Sequence, residues 1–205
     1  MPEVNLESVK RPAGVALAAG AVWLAGISPV SRVYLEPDPV RRLAMLRNGR
    51  RSWVLGQHVA AAGTAAMPAA FARLALALPA GRTRALAGTA AVALAAGAPM
   101  FVSQLAMRAA DLEGFAARRF PAWPFLSYAW LHVVALGSLS AALATLPHKE
   151  KEAAALGLAA LGSGAVLAKT GDIPPFVFYL CEQLAAASLL RGTSANPHSS
   201  PVPPQ

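Results

Sequence analysis

ALAGTAAVALAAGAPMFVSQLAM, residues 85–107, is the stretch on which the fold turns. It holds no Asp, Glu, Lys or Arg, and Arg84 and Arg108 close it at its two ends. A hydrocarbon core about 30 Å thick is crossed by roughly 20 helical residues, so an uncharged run of this length between arginines predicts a transmembrane helix.

Working outward, residues 12–31, 52–72 and 120–148 are equally free of charge. Pro121 and Pro124 trim the start of the last run to about Phe125. Two weaker runs follow. Residues 153–168 are uncharged but short, so Lys151 and Lys169 must reach outward to the headgroups. Residues 174–190 have spanning length but contain Glu182. The expectation is an all-α polytopic bundle of six spans, at about 12–31, 52–72, 85–107, 125–146, 153–168 and 174–190. The chain is accordingly expected in the cell membrane as a multi-pass protein. Lys10 and Arg11 before an apolar run also suit a cleaved signal peptide. The run is longer than an h-region, however, and the chain after it is itself apolar.

Composition agrees. Hydrophobic residues make up 56% and charged residues 14% of the 205, against about 25% charged in a soluble domain. Lys and Arg number 18 against 10 Asp and Glu, a net charge of +8. These cations flank the apolar runs, where they meet lipid headgroups, and no basic stretch interleaved with aromatics suggests nucleic acid. The expected partners are membrane lipids, a lipophilic small molecule, or a second membrane protein docked on the basic loops. The single cysteine, Cys181, allows no intrachain disulfide.

The longest polar connection, 32–51, predicts an interfacial amphipathic helix. Asp38 suits the N-cap and Pro39 the first helical position. Val40, Leu43, Ala44 and Leu46 form its apolar side, with Arg41, Arg42, Arg47 and Arg50 as the cationic side. Such a helix lies on headgroups or, more specifically, faces an anionic ligand. The connection 108–124 carries Asp111, Glu113, Arg118 and Arg119, with Phe115, Phe120 and Trp123 suited to an interface. Residues 78–83 and 147–152 are helix-hairpin loops. Residues 192–205, rich in Ser, Pro, Asn and Gly, are expected to be a disordered tail. Six spans put ten Lys and Arg at one end of the bundle and eight at the other, which does not fix orientation. Ala160, Gly164 and Ala168 form a small-residue face suited to close helix approach.

Polar residues inside the apolar runs are few: Gln57 and His58, Gln104, His132, and Glu182 with Gln183. At 1.5 Å per residue, His58 lies roughly 10 Å from Arg51, His132 about 12 Å from Pro124, Glu182 about 12 Å from Pro174 and Gln104 about 6 Å from Arg108. All four distances run from the same end, the one with the long connections. Tyr128 is four residues before His132, and Tyr179 three before Glu182, each on the same helix face. Gln104, Arg108 and Asp111 share a face leading out of this level. The pattern predicts a polar pocket in the outer third of the bundle. A carboxyl in apolar surroundings keeps its proton and can serve as general acid, proton relay or hydrogen-bond donor. Glu182 is therefore the expected catalytic centre with His58 and His132 as bases, and Gln57, Gln104, Tyr128, Tyr179, Gln183, Arg108 and Asp111 are candidate binding groups. The bland alternative is that these side chains only tie helices together.

No cofactor is called for, and no spacing suggests a metal site. Two histidines at matched depth, His58 and His132 with Gly63 and Gly137 nearby, are the sole hint of a b-type haem, and no HxxxH or ExxH accompanies them. Phosphate-loop and GxSxG patterns are absent.

Gly171-Asp-Ile-Pro-Pro-Phe-Val-Phe-Tyr-Leu180, closing at Leu189-Leu-Arg191, resembles the last span of small uncharacterised multi-pass proteins common in high-GC bacteria. Trp53-Val-Leu-Gly-Gln57 is similar to them as well. The resemblance implies a six-helix bundle and supplies no activity.

Three functions compete. A small membrane-embedded enzyme or binding protein for a lipophilic, isoprenoid-like substrate would use Glu182 with the histidines. Membrane-integral terpenoid cyclases, in which acidic residues protonate an isoprenoid, are an analogy at the level of fold alone. A structural or accessory subunit would use the basic loops. A transporter or proton-coupled protein would need polar groups along the whole path and two repeated halves. The sequence offers only Thr64, Thr89 and Ser138 to Ser140 beyond the main cluster, and no repeat.

Overall fold

The computed structural model describes residues 6–191; the tail expected at 192–205 lies outside them. The chain runs α1 (Leu6–Ile27), a 3₁₀ turn (Ser31–Tyr34), α2 (Pro39–Asn48), α3 (Arg50–Ala77), α4 (Arg82–Ala110), α5 (Leu112–Ala116), α6 (Trp123–Ala144), α7 (Glu150–Thr170) and α8 (Phe176–Arg191). There is no strand among the described residues.

All six expected runs are helical. Four helices, α3, α4, α6 and α7, are long and apolar enough to cross a membrane. The other two differ from expectation. Helix α1 begins at Leu6 instead of near residue 12, with Pro12 inside it and Lys10 paired to Glu7 at 2.6 Å. Helix α8 has 16 residues, about 24 Å of helix; Pro174 and Pro175 form the turn that starts it, their carbonyls accepting from the Val177 and Phe178 amides at 3.1 Å.

Helices α1, α3, α4, α6 and α7 pack in chain order, and α8 closes against α1, α6 and α7. Their directions alternate. At one end Thr83 meets Thr145 at 2.6 Å, and the Lys149 ammonium donates to the Ser188 carbonyl. The opposite end gathers α2, α5 and the α7–α8 turn, and is called the loop end below. There the Trp53 indole donates to the Arg108 carbonyl at 2.9 Å.

The tightest seam joins α1 to α3. A Cβ at Gly56 would stand 2.2 Å from the Gly26 carbonyl, one at Gly26 would stand 2.5 Å from the Ala60 nitrogen, and one at Gly63 would stand 2.7 Å from the Ala19 carbonyl. Small residues thus bring these two backbones together. The small face expected on α7 does not do this. Ala160 is buried and a Cβ on Gly164 would meet only side chains, Val133 at 3.4 Å and Trp130 at 3.7 Å, while Ala168 is exposed.

Helix α2 is capped as expected: Asp38 accepts from the amides of Val40, at 2.7 Å, and Arg41, at 3.2 Å. The expected division of its faces is wrong. Val40 and Ala44 are exposed, whereas Arg42 is buried beside Leu46. The Arg42 guanidinium donates to the carbonyls of Glu36, Pro37 and Ala116, so it ties α2 to the preceding loop and to α5. Leu46, Val33, Trp53 and Ala116 form a small second core beneath.

Candidate functional site

Glu182 is 0% exposed and His132 3%. Their side chains meet in the bundle core, with His132 Nε2 at 3.2 Å from Glu182 Oε1. The other ring nitrogen, Nδ1, lies 2.9 Å from the Tyr128 carbonyl oxygen. A carbonyl only accepts, so Nδ1 carries a hydrogen and Nε2 faces Glu182. Nε2 and Oε1 lie within ion-pair distance but out of hydrogen-bonding geometry, so a single proton resides on one partner or the other. With the proton on Glu182 the pair is a neutral acid and a neutral imidazole; with it on His132 it is a carboxylate and an imidazolium. Either way the pair carries no net charge, which is how it is tolerated in this setting. Neither carboxyl oxygen of Glu182 has a hydrogen-bond partner among the described residues.

Aromatic rings surround the pair. Tyr128 stacks on Phe101 at 4.2 Å and lies 4.0 Å from the His132 ring. Trp23 of α1 stacks on Tyr179 of α8 at 4.0 Å, and the Tyr179 hydroxyl meets Thr64 of α3 at 2.6 Å. The Tyr128 and Tyr179 hydroxyls lie close enough to interact, but not in hydrogen-bonding geometry.

Toward the loop end, above this layer, is a cavity of about 550 Å³. Its walls are apolar, with Trp23, Ile27, Phe101, Leu105, Phe125 and Ile173. Arg42, Arg108, Arg118 and Asp172 supply its charged groups. Burial and the neighbouring Arg118 pull the Arg42 guanidinium below its ordinary value, yet it remains a cation. Trp23 and Phe101 line the cavity and also stack on Tyr179 and Tyr128. One aromatic layer therefore separates the cavity from the Glu182–His132 pair.

Of the expected site residues, Glu182, His132, Tyr128 and Tyr179 come together. Gln104 and Arg108 sit at the cavity side, joined through Arg108 Nη2 and Gln104 Oε1 at 3.1 Å. Gln104 is also anchored on the Pro121 carbonyl at 3.3 Å. Gln57 is buried and donates to the Tyr34 hydroxyl at 3.3 Å. Gln183 packs instead over Gly20 of α1. Two expectations fail. His58 is exposed on the outer side of α3, because each helical residue turns about 100° and its neighbour Gln57 points inward. Asp111 is exposed and caps α5, accepting from the Gly114 amide at 2.7 Å. His58 faces outward from α3 while His132 is buried in the core, so the two histidines do not face one another as the axial ligands of a b-type haem would. Gly63, for its part, is filled by α1.

Trp23, Tyr34 and Phe101, unmarked in the sequence, join the site, as does Thr64, which the sequence set beyond the main cluster. Thr64 had a signal: it follows Gln57 by seven residues and so shares its face. Trp23, Tyr34 and Phe101 lie on other elements and carry no comparable spacing.

No family model, no curated protein and no solved structure matches the chain.

Proposed function

We propose that the chain is a six-span protein of the cell membrane that holds a lipophilic small molecule in its loop-end cavity and acts on it through Glu182 and His132. Helix α1, with 22 residues, and α8, preceded by Pro174 and Pro175, complete the count begun by α3, α4, α6 and α7. In this arrangement α2 and α5 lie at the membrane surface.

The observation that carries the proposal is the fully buried Glu182–His132 pair beneath the stacked Phe101–Tyr128 and Trp23–Tyr179 rings that floor an apolar cavity. A pair that only tied helices together would have no need of a cavity above it. A volume of about 550 Å³ falls within the range of small-molecule sites. The chemistry such a pair supports is general acid–base catalysis. Transfer requires the ligand to pass between the Trp23–Tyr179 and Phe101–Tyr128 stacks; there Glu182 gives its proton to an electron-rich carbon or oxygen of the ligand, and the resulting carboxylate takes a proton back when the product forms. His132 keeps the carboxyl oriented and shares the proton between turns. Tyr128, Tyr179, Gln57, Gln104 and Arg108 hold the ligand or the groups that face it.

The test compares total lipid extracts, by untargeted mass spectrometry, from cells expressing the protein, its Glu182→Gln variant, or neither. Glu182→Gln keeps shape and hydrogen bonding but removes the acid. The protein should deplete one lipophilic species and create another, and the variant should leave the profile as in cells without it. Identical profiles for the protein and the variant refute the catalytic role.

A further inference from the structure

Arg108 is the least compensated charge at the cavity. Its guanidinium lies 5.6 Å from the ring centres of both Phe101 and Phe115. Its polar neighbours are neutral: Gln104, which accepts at 3.1 Å, and Tyr34. Asp172 is near enough to attract it, yet Arg108 makes no ion pair among the described residues. Two amides hold this arrangement in place, Gln104 on the Pro121 carbonyl and Gln57 on the Tyr34 hydroxyl.

The rest of the lining has the same bias. Three arginines face one aspartate. Arg42 is occupied by backbone carbonyls, whereas Arg118 is exposed at the rim. A guanidinium with spare N–H donors, set among apolar walls with no carboxylate at ion-pair distance, is costly unless an anion pairs with it. Guanidinium forks match carboxylate and phosphate oxygens in bidentate geometry.

We infer that the cavity recognises the anionic head of an amphiphile, a phosphate monoester or a carboxylate on an apolar tail, with Arg108 as its pairing group and Arg118 as a second contact at the rim. The tail lies along Trp23, Ile27, Leu105 and Phe125. This rests on the reading of the cavity as a lipophile site and adds the chemistry of the head.

The experiment uses the full chain in nanodiscs of neutral phosphatidylcholine, with decyl phosphate, decanoate and decanol as probes. Saturable binding is followed by tryptophan fluorescence, which Trp23 in the cavity wall should report, with empty nanodiscs as the blank. At least one of the two anions should bind ten-fold or more tighter than decanol, and the tighter one tells a phosphate head from a carboxylate. Arg108→Gln should erase that advantage, so that the anion binds no tighter than decanol, and Arg118→Gln should reduce it a few-fold. If Arg108→Gln does not fold, the ratio of anion to decanol in the unaltered protein decides. Decanol binding as tightly as both anions overturns the anionic head and leaves a lipophile site standing. Failure of all three probes to saturate overturns the site itself along with it.

Discussion

His132 touches Glu182 through Nε2 at 3.2 Å while its Nδ1 is held by the Tyr128 carbonyl at 2.9 Å. The ring is thus fixed in orientation by its own helix, α6, and presents one face to a carboxyl on α8. Removing the ring takes away the basic nitrogen at ion-pair distance and leaves the buried carboxyl facing apolar groups. His132→Leu should therefore destabilise the bundle by about 1–3 kcal/mol, the cost of an unsatisfied buried polar group. Adding Glu182→Leu should recover part of the loss, and the two changes should be non-additive. Reversible unfolding in mixed detergent micelles measures each variant, and strict additivity would mean the two side chains do not interact.

The α1–α3 seam makes a separate prediction. A Cβ at Gly56 would sit 2.2 Å from the Gly26 carbonyl, and neither atom can move without parting the helices. Gly56→Ala should cost about 1–3 kcal/mol, as overpacking does. Gly162→Ala, where a Cβ would meet nothing within 4 Å, should be neutral or stabilising by about 0.5–1 kcal/mol. Thermal unfolding in one detergent compares them, and equal effects at the two glycines would contradict this seam.

Much of the bundle was legible because charge is so costly in hydrocarbon: uncharged runs marked all six long helices. Helix rotation was harder to read. Helix α3 is rich in Ala and Gly on every side, so no contrast of polarity marks its inner face, and His58 was read as inward. What sets its rotation is Gly56, Ala60 and Gly63, the stripe that meets α1, and that stripe turns Gln57 in and His58 out. The sharing of depth by Tyr128, His132, Tyr179 and Glu182 was legible because helix rise is fixed. Arg42 was not, since only the folded loop shows which carbonyls its guanidinium meets. Asp111 was expected at the site, and short-range hydrogen bonding to the Gly114 amide makes it the cap of α5 instead.

Asp38 gives a pH dependence at the loop end. The amides of Arg41 and Val40 hold its carboxyl below the ordinary value of 3.8. A depressed acid stabilises the fold above its unfolded pKa, and the contribution is lost as pH falls through the folded one. The N-terminus of α2 should therefore be firm at neutral pH and begin to fray only below about pH 4. Hydrogen exchange of the Val40 and Arg41 amides, corrected for intrinsic rates, should lose protection there. Asp38→Ala should show the low-pH behaviour at every pH. Unchanged protection in that variant would remove Asp38 as the cap.

Six spans, as opposed to the four helices that meet length and composition alone, require α1 and α8 to cross as well. With Cys181 replaced by Ala, single cysteines at Lys10, Arg41, Ala117 and His148 report the side of each end through a membrane-impermeant thiol reagent. Arg41→Cys and Ala117→Cys sit at the loop end, and His148→Cys at the other. Crossing by α1 puts Lys10→Cys with His148→Cys, since one span separates Lys10 from Arg41. Crossing by α8 likewise puts Arg191→Cys with His148→Cys. Labelling of Lys10→Cys from the same side as Ala117→Cys would leave α1 lying along the surface. Trp23 would then be drawn out of the level it shares with Tyr179, and the cavity would lose a wall.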